Sequence, residues 1–165
     1  MMKRIWLTSL AALLSAPTLH AAAAPPVVVL SIDALHPSYV LEADRLGYSV
    51  PNLRRLAREG TFARAVTGVL PTVTYASHTT LVTGVAPARH GIFYNGPFDP
   101  LDRNQAGWYW YAEDIRVPTL WDVAADAGLV VSNVDWPVSV GARIRHNIVQ
   151  YWRTNVPDAV DDRKL

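Results

Sequence analysis

Thr74 stands within PTVTYASHTTLVTGVAPARHGIFYN, the segment from Pro71 to Asn95, at the point where a short extended stretch gives way to a helical pattern. A helix start points several backbone N–H groups at whatever lies in front of it, and an anion suits that place. Asp33 closes the apolar run VVVLSI and offers a carboxylate to a cation. Threonine is a poor nucleophile at its free pKa and needs a metal or a base to become an alkoxide. With a dication held by Asp33, the Thr74 oxygen could be both ligand and attacking group. Helix N–H groups and the Asn95 amide would then steady the oxygens of a phosphoryl group. Both residues also carry plainer readings, since a helix-start threonine is commonly a cap and an aspartate after a strand is commonly a turn residue.

The elements that must position these groups follow from periodicity and punctuation. Val27 to Ile32 is a continuous apolar run rich in β-branched residues, which predicts a strand buried on both faces of a parallel sheet. Pro51 in a first turn, Leu53, Leu56 and Ala57 at helical spacing, and Gly60 as a stop predict a helix from Pro51 to Glu59. Phe62 to Val69 reads as a second strand. Tyr75 to Thr83 reads as a helix ended by Gly84, weakened by its threonines. Pro118 opens a further helix through Ala127, stopped by Gly128, and Leu129 to Val134 is another apolar strand. This alternation predicts an α/β fold with a mostly parallel sheet, in which ligands bind beyond the carboxyl ends of the strands. Asp33 and the loop carrying Thr74 both occupy such ends.

The chain has 165 residues, enough for one domain with a core. Residues 1–24 read as a secretory signal: Lys3 and Arg4, an apolar run from Ile5 to about Leu14, then the small-residue tract Ala21 to Ala24. The run is short and broken for a membrane span, so no span is expected once the leader is removed. Both leader charges are positive, so the formal net charge of +1 becomes about −1 for residues 25–165. No basic stripe suggests nucleic-acid binding. The sequence has no cysteine, which excludes disulfides and thiolate metal sites and points an exported chain to a bacterial periplasm.

Other residues carry side chains capable of chemistry. His78 and His90 could be metal ligands or structural histidines, and His36, close after Asp33, could line the cleft. His146 has no partner in the sequence. Trp108-Tyr109-Trp110-Tyr111 could stack on a nucleobase or form the apolar face of a strand or loop. Asp158, Asp161 and Asp162 read as a solvated acidic end.

The chain resembles the type I phosphodiesterase / nucleotide pyrophosphatase family of the alkaline phosphatase superfamily. The residues that carry the resemblance are Asp33, Pro71-Thr72-Val73-Thr74, Ser77-His78, Leu81-Val82-Thr83-Gly84, Pro87-Ala88-Arg89-His90-Gly91-Ile92 and Asn95. It continues more loosely through Asp99-Pro100, Pro118-Thr119-Leu120-Trp121 and Trp136-Pro137. Ala76-Ser77 stands where many members have Pro-Asn, which bears on the helix start and on substrate preference. The resemblance implies an alkaline-phosphatase-like sheet flanked by helices and a zinc-dependent hydrolase of phosphodiester or pyrophosphate bonds in nucleotide-type substrates. It implies Thr74 as the nucleophile that becomes a phospho-threonine, Asp33 and Thr74 as ligands to one of two zinc ions, and Asn95 as a hydrogen-bond donor to a phosphoryl oxygen.

Two alternatives remain open at this point. One is a phosphomonoester or phosphonate hydrolase of the same superfamily; a sulfatase is disfavoured because no Cys/Ser-x-Pro-x-Arg motif occurs. The other concerns length. Family members run to several hundred residues, and this sequence contains neither an Asp-His pair nor an Asp followed four residues later by His. Residues 25–165 are therefore expected to be the N-terminal part of a catalytic domain, a fragment lacking most metal ligands.

Overall fold

A computed structural model describes residues 25–63, 65–101, 104 and 107–151. The leader, the acidic end from Asp158 and the last part of the expected domain lie outside the described residues. Two compact units divide at Ile32 and Asp33. The described part of the first unit, residues 25–32, forms no strand. Val27 is 88% exposed, and Val28 to Leu30 and Ile32 are also open to solvent. This corrects the expectation of a doubly buried strand. A continuous apolar run becomes such a strand only when neighbours pair with its edges and cover both faces, and its exposed valines show that its faces are not covered.

The second unit begins with Asp33 in a turn and continues through α1 (Ser38–Leu41), α2 (Ala43–Leu46) and α3 (Pro51–Glu59). The limits of α3 are those the sequence predicts: Pro51 enters the first turn, and the Gly60 N–H closes on the Leu56 carbonyl. The described residues between Phe62 and Val69 are irregular and mostly exposed, which corrects the second predicted strand for the same reason as the first.

Helix α4 (Thr74–Thr83) starts one residue earlier than its pattern suggests and ends at Gly84, whose φ of 68° is left-handed. It packs against α5 (Pro87–His90) and α6 (Leu120–Asp126). The helix expected from Pro118 begins at Leu120, because Thr119 is the N-cap. Its hydroxyl accepts the Asp122 N–H, and the Asp122 carboxylate accepts the Thr119 N–H at 2.9 Å, a complete capping box.

The last predicted strand shrinks to β1 (Ser132–Val134), paired in parallel with β2 (His146–Ile148), which the pattern did not announce. Side-chain amides hold this pair: Asn133 Nδ2 donates to Asn147 Oδ1 at 2.7 Å and to Ser139 Oγ at 3.1 Å, while its Oδ1 accepts the Trp136 N–H. Asn147 Nδ2 donates to the Ser139 carbonyl. The network braces residues 135–140, where Asp135 and Val138 take left-handed φ values of 60° and 57°. Val138 is β-branched and fully buried, an expensive place for that backbone. The described residues are thus a mixed α/β arrangement with a small parallel sheet.

Tyr75, Ile92, Trp110, Val138 and Val140 form the core, with Trp108, Tyr109, Tyr111 and Tyr151 against it. Trp108 and Trp110 stack 6.0 Å apart, and Tyr75 meets Trp108 edge-on at 5.3 Å. The aromatic run from Trp108 is therefore packing material, as its apolar-face reading has it. Tyr111 bridges to Val140, so this run is clamped beside the strained loop.

Candidate functional site

Thr74 is the first residue of α4, and Val73 before it is extended with no side-chain capping bond. The Thr74 hydroxyl is therefore not spent on a cap. It points to Asp33, donating to Oδ2 over a long 3.4 Å. Asp33 itself lies in an exposed turn followed by Ala34 at φ 57°, a left-handed position that bends the chain immediately after the carboxylate.

Asn95 reaches the same helix start from the other side. Its Oδ1 accepts the Tyr75 N–H at 3.1 Å, which satisfies one of the first-turn donors of α4. Because the oxygen faces the helix, the amide nitrogen is the edge left to meet a ligand. The Asn95 carbonyl in turn accepts the Tyr109 N–H at 2.8 Å, so core and helix together fix this residue. Tyr75, adjacent to Thr74, is fully buried and donates through its hydroxyl to Gln150 Oε1 at 2.7 Å. Burial, then the charge of Asp135, pushes its phenol far above the ordinary range, so it stays protonated. The structure thus brings Asp33, Thr74 and Asn95 to one helix start and backs them with the aromatic core.

The histidines sort differently. His78 sits one turn into α4, with Nδ1 2.7 Å from the Thr74 carbonyl and its ring edge-on to Trp136 at 5.1 Å. His90 is fully buried; its Nδ1 accepts the Ile92 N–H at 3.1 Å, so Nε2 carries the proton and meets Thr80 Oγ1 at 3.0 Å. Burial pulls its pKa below the usual histidine value, opposed by a hydrogen bond to the Ala76 backbone. His36 is exposed and bonded to Ser38 Oγ at 2.8 Å, an arrangement local to the entry of α1. His146 lies exposed in β2. Sequence reasoning missed the polar side chains that brace the loop facing His78, because Asn133, Ser139 and Asn147 form no motif. Their one signal is polarity where Asn133 interrupts the apolar run from Leu129 to Val134.

The resemblance implies two zinc ions, which need about eight to ten donor positions between them. Asp33 and Thr74 fit as oxygen donors on one side of a single dication. They do not fit a pair: among the described residues no group of three or more His, Cys, Asp or Glu converges on a common point. No helix among the described residues is long and apolar enough to cross a membrane.

Comparison with known proteins agrees with the motif. The family model for type I phosphodiesterase / nucleotide pyrophosphatase matches residues 27–164. The chain is 32% identical over 124 residues to a venom phosphodiesterase of Naja atra and 30% identical over 125 residues to venom phosphodiesterase 2 of Crotalus adamanteus. Each match covers 69% of this chain and 14% of the relative. Ectonucleotide pyrophosphatase/phosphodiesterase family member 3 of Bos taurus is 30% identical over 125 residues, covering 70% of this chain and 13% of its own length. The chain spans about one seventh of the length of these curated relatives. With most of its length matched by the family model, the chain belongs to the type I phosphodiesterase / nucleotide pyrophosphatase family.

Proposed function

We propose that the protein contributes the nucleophile side of a hydrolase that cleaves phosphodiester or pyrophosphate bonds in nucleotide-type small molecules. The observation that carries this is the uncapped Thr74 hydroxyl at a helix start, flanked by the Asp33 carboxylate and the Asn95 side chain. Thr74 Oγ1 forms a bond to phosphorus as the bond from phosphorus to the leaving oxygen breaks. The threonine proton departs to solvent, and the leaving oxygen takes one up. Water then cleaves the phospho-threonine and restores the hydroxyl. The Asn95 amide donates to a non-bridging oxygen, and the start of α4 favours the negative charge that collects there.

Zinc, when bound, would supply the positive charge that makes a threonine hydroxyl acidic enough to react. Asp33 and Thr74 are its ligands in this reading. The alkaline-phosphatase-like sheet belongs to the same reading, supported by the family match and by the parallel β1–β2 pair. So does export to a bacterial periplasm or the medium, supported by the leader-like start and the absence of cysteine. The venom and ectoenzyme names of the relatives fit an exported hydrolase.

The test is hydrolysis of a chromogenic phosphodiester and the matching monoester by the full-length protein, with and without chelator. Faster turnover of the diester and loss on chelation are expected. Thr74→Ala should remove at least about a thousandfold of kcat. Metal-dependent turnover that survives in the alanine variant overturns the nucleophile assignment, and a monoester preference favours the phosphomonoesterase alternative.

A further inference from the structure

The loop that carries Asn95 is tied to α4 at two places, and only one of them is Asn95 itself. Asn95 Oδ1 meets the Tyr75 N–H in the first turn. His90 Nε2 meets Thr80 Oγ1 five residues further along the helix, a rise of about 7.5 Å. A single tie leaves the loop free to pivot about it, whereas two ties spaced along one helix fix both its slide and its rotation. We propose that His90 is a positioning residue that holds the Asn95 amide in register with Thr74. The inference rests on the reading of Asn95 as a phosphoryl-binding residue.

The surroundings of His90 suit this role. Its ring is fully buried, and both ring nitrogens are engaged: Nδ1 accepts from Ile92, on the path to Asn95, and Nε2 donates into α4. Its backbone is held as well, since the His90 carbonyl accepts the Arg116 N–H at 3.0 Å. Gly91 then turns at φ 87°, where an added Cβ would lie 2.8 Å from the Arg116 side chain. The imidazole has to be neutral to act this way, because Nδ1 is an acceptor. Ile92, fully buried in the core, carries the constraint on toward Asn95. Nothing in this arrangement touches the Asp33 carboxylate or the Thr74 hydroxyl.

The experiment uses His90→Asn and Thr80→Val in the full-length protein. Asparagine can still accept the Ile92 N–H through an Asx turn but is too short for α4, and valine removes the Thr80 partner while the bond to the Ala76 backbone in the same helix remains. Hydrogen exchange is followed at the Tyr75 N–H, with the Val123 N–H in α6 as control. Exchange at Tyr75 at least about tenfold faster in His90→Asn, and faster by a smaller factor in Thr80→Val, with Val123 unchanged in both, is expected. Equal acceleration at both amides, or none at Tyr75, overturns the proposal. In parallel, kcat should fall about tenfold in His90→Asn and fall no further when the substitution is placed on Asn95→Ala. An additive loss also overturns it. If Asn95→Ala alone leaves kcat intact, the phosphoryl-binding reading fails, and the exchange result still decides whether His90 positions the loop.

Discussion

The Asn95 side-chain oxygen accepts the Tyr75 N–H at 3.1 Å, so a loop residue caps the helix whose first side chain is Thr74. In the proposed function the same side chain also donates to the phosphoryl group, and substitutions can separate the two duties. Asn95→Asp keeps an oxygen for Tyr75 but removes the amide donor and places a negative charge toward the phosphoryl group. Its expected kcat loss is about a hundredfold to a thousandfold, with thermal stability close to that of the parent. Asn95→Ala loses both duties and should also melt lower. Paired kcat and unfolding measurements distinguish the two patterns, and an active Asn95→Asp variant would remove the donor role.

Acid sensitivity should follow from His90. Burial lowers its pKa below 6.5, opposed by the Ala76 backbone bond, so the folded state prefers the neutral ring. The unfolded chain binds the proton more readily, and the stabilisation is therefore complete above about pH 6.5 and is lost as pH falls from there through the folded pKa. Denaturant midpoints measured from pH 8 to pH 5 should decline, with a shallower slope in His90→Asn. Parallel slopes in parent and variant would assign the acid sensitivity to other groups.

The capping box on α6 gives a stability test remote from the site. Thr119 is buried, and both its hydroxyl and its N–H engage Asp122. Thr119→Ala should cost about 1 kcal/mol, and Thr119→Ser should restore most of it. Thermal unfolding of the two variants measures the difference.

Asn133 makes three side-chain bonds between β1, its parallel partner and the loop they enclose. Asn133→Ala leaves Asn147 Oδ1, Ser139 Oγ and the Trp136 N–H without that partner, and should cost about 2 kcal/mol. Asn147→Ala should be less than additive with it, because the two amides share one bond. A double-mutant cycle by chemical denaturation measures the coupling.

What the sequence disclosed depended on how local the cause was. The limits of α3 and the end of α4 were legible because Pro51, Gly60 and Gly84 act through their own backbone geometry. The start of α6 was misplaced by two residues because Pro118 hid the stronger signal, the Thr119–Asp122 pair. The runs at Val27–Ile32 and Phe62–Val69 promised strands, yet strand formation depends on partners that periodicity does not supply. The short β2 was illegible for the converse reason: its pairing rests on Asn147 and on register with Asn133. At the site, the motif spacing singled out Thr74 and Asn95, but not the bond from Tyr75 that turns the Asn95 amide outward. That bond joins residues twenty positions apart.

Val138 carries a consequence for how this protein can change. Its backbone, at φ 57°, asks for glycine, while its fully buried side chain asks for a branched hydrocarbon. Glycine would relax the turn and leave a hole beside Tyr75 and Trp110; a larger residue would overfill the space and still carry the Cβ that the backbone disfavours. No single replacement satisfies both demands. Sequence drift at this position therefore has to be concerted, with a neighbour such as Val140 or Ile92 growing as Val138 shrinks.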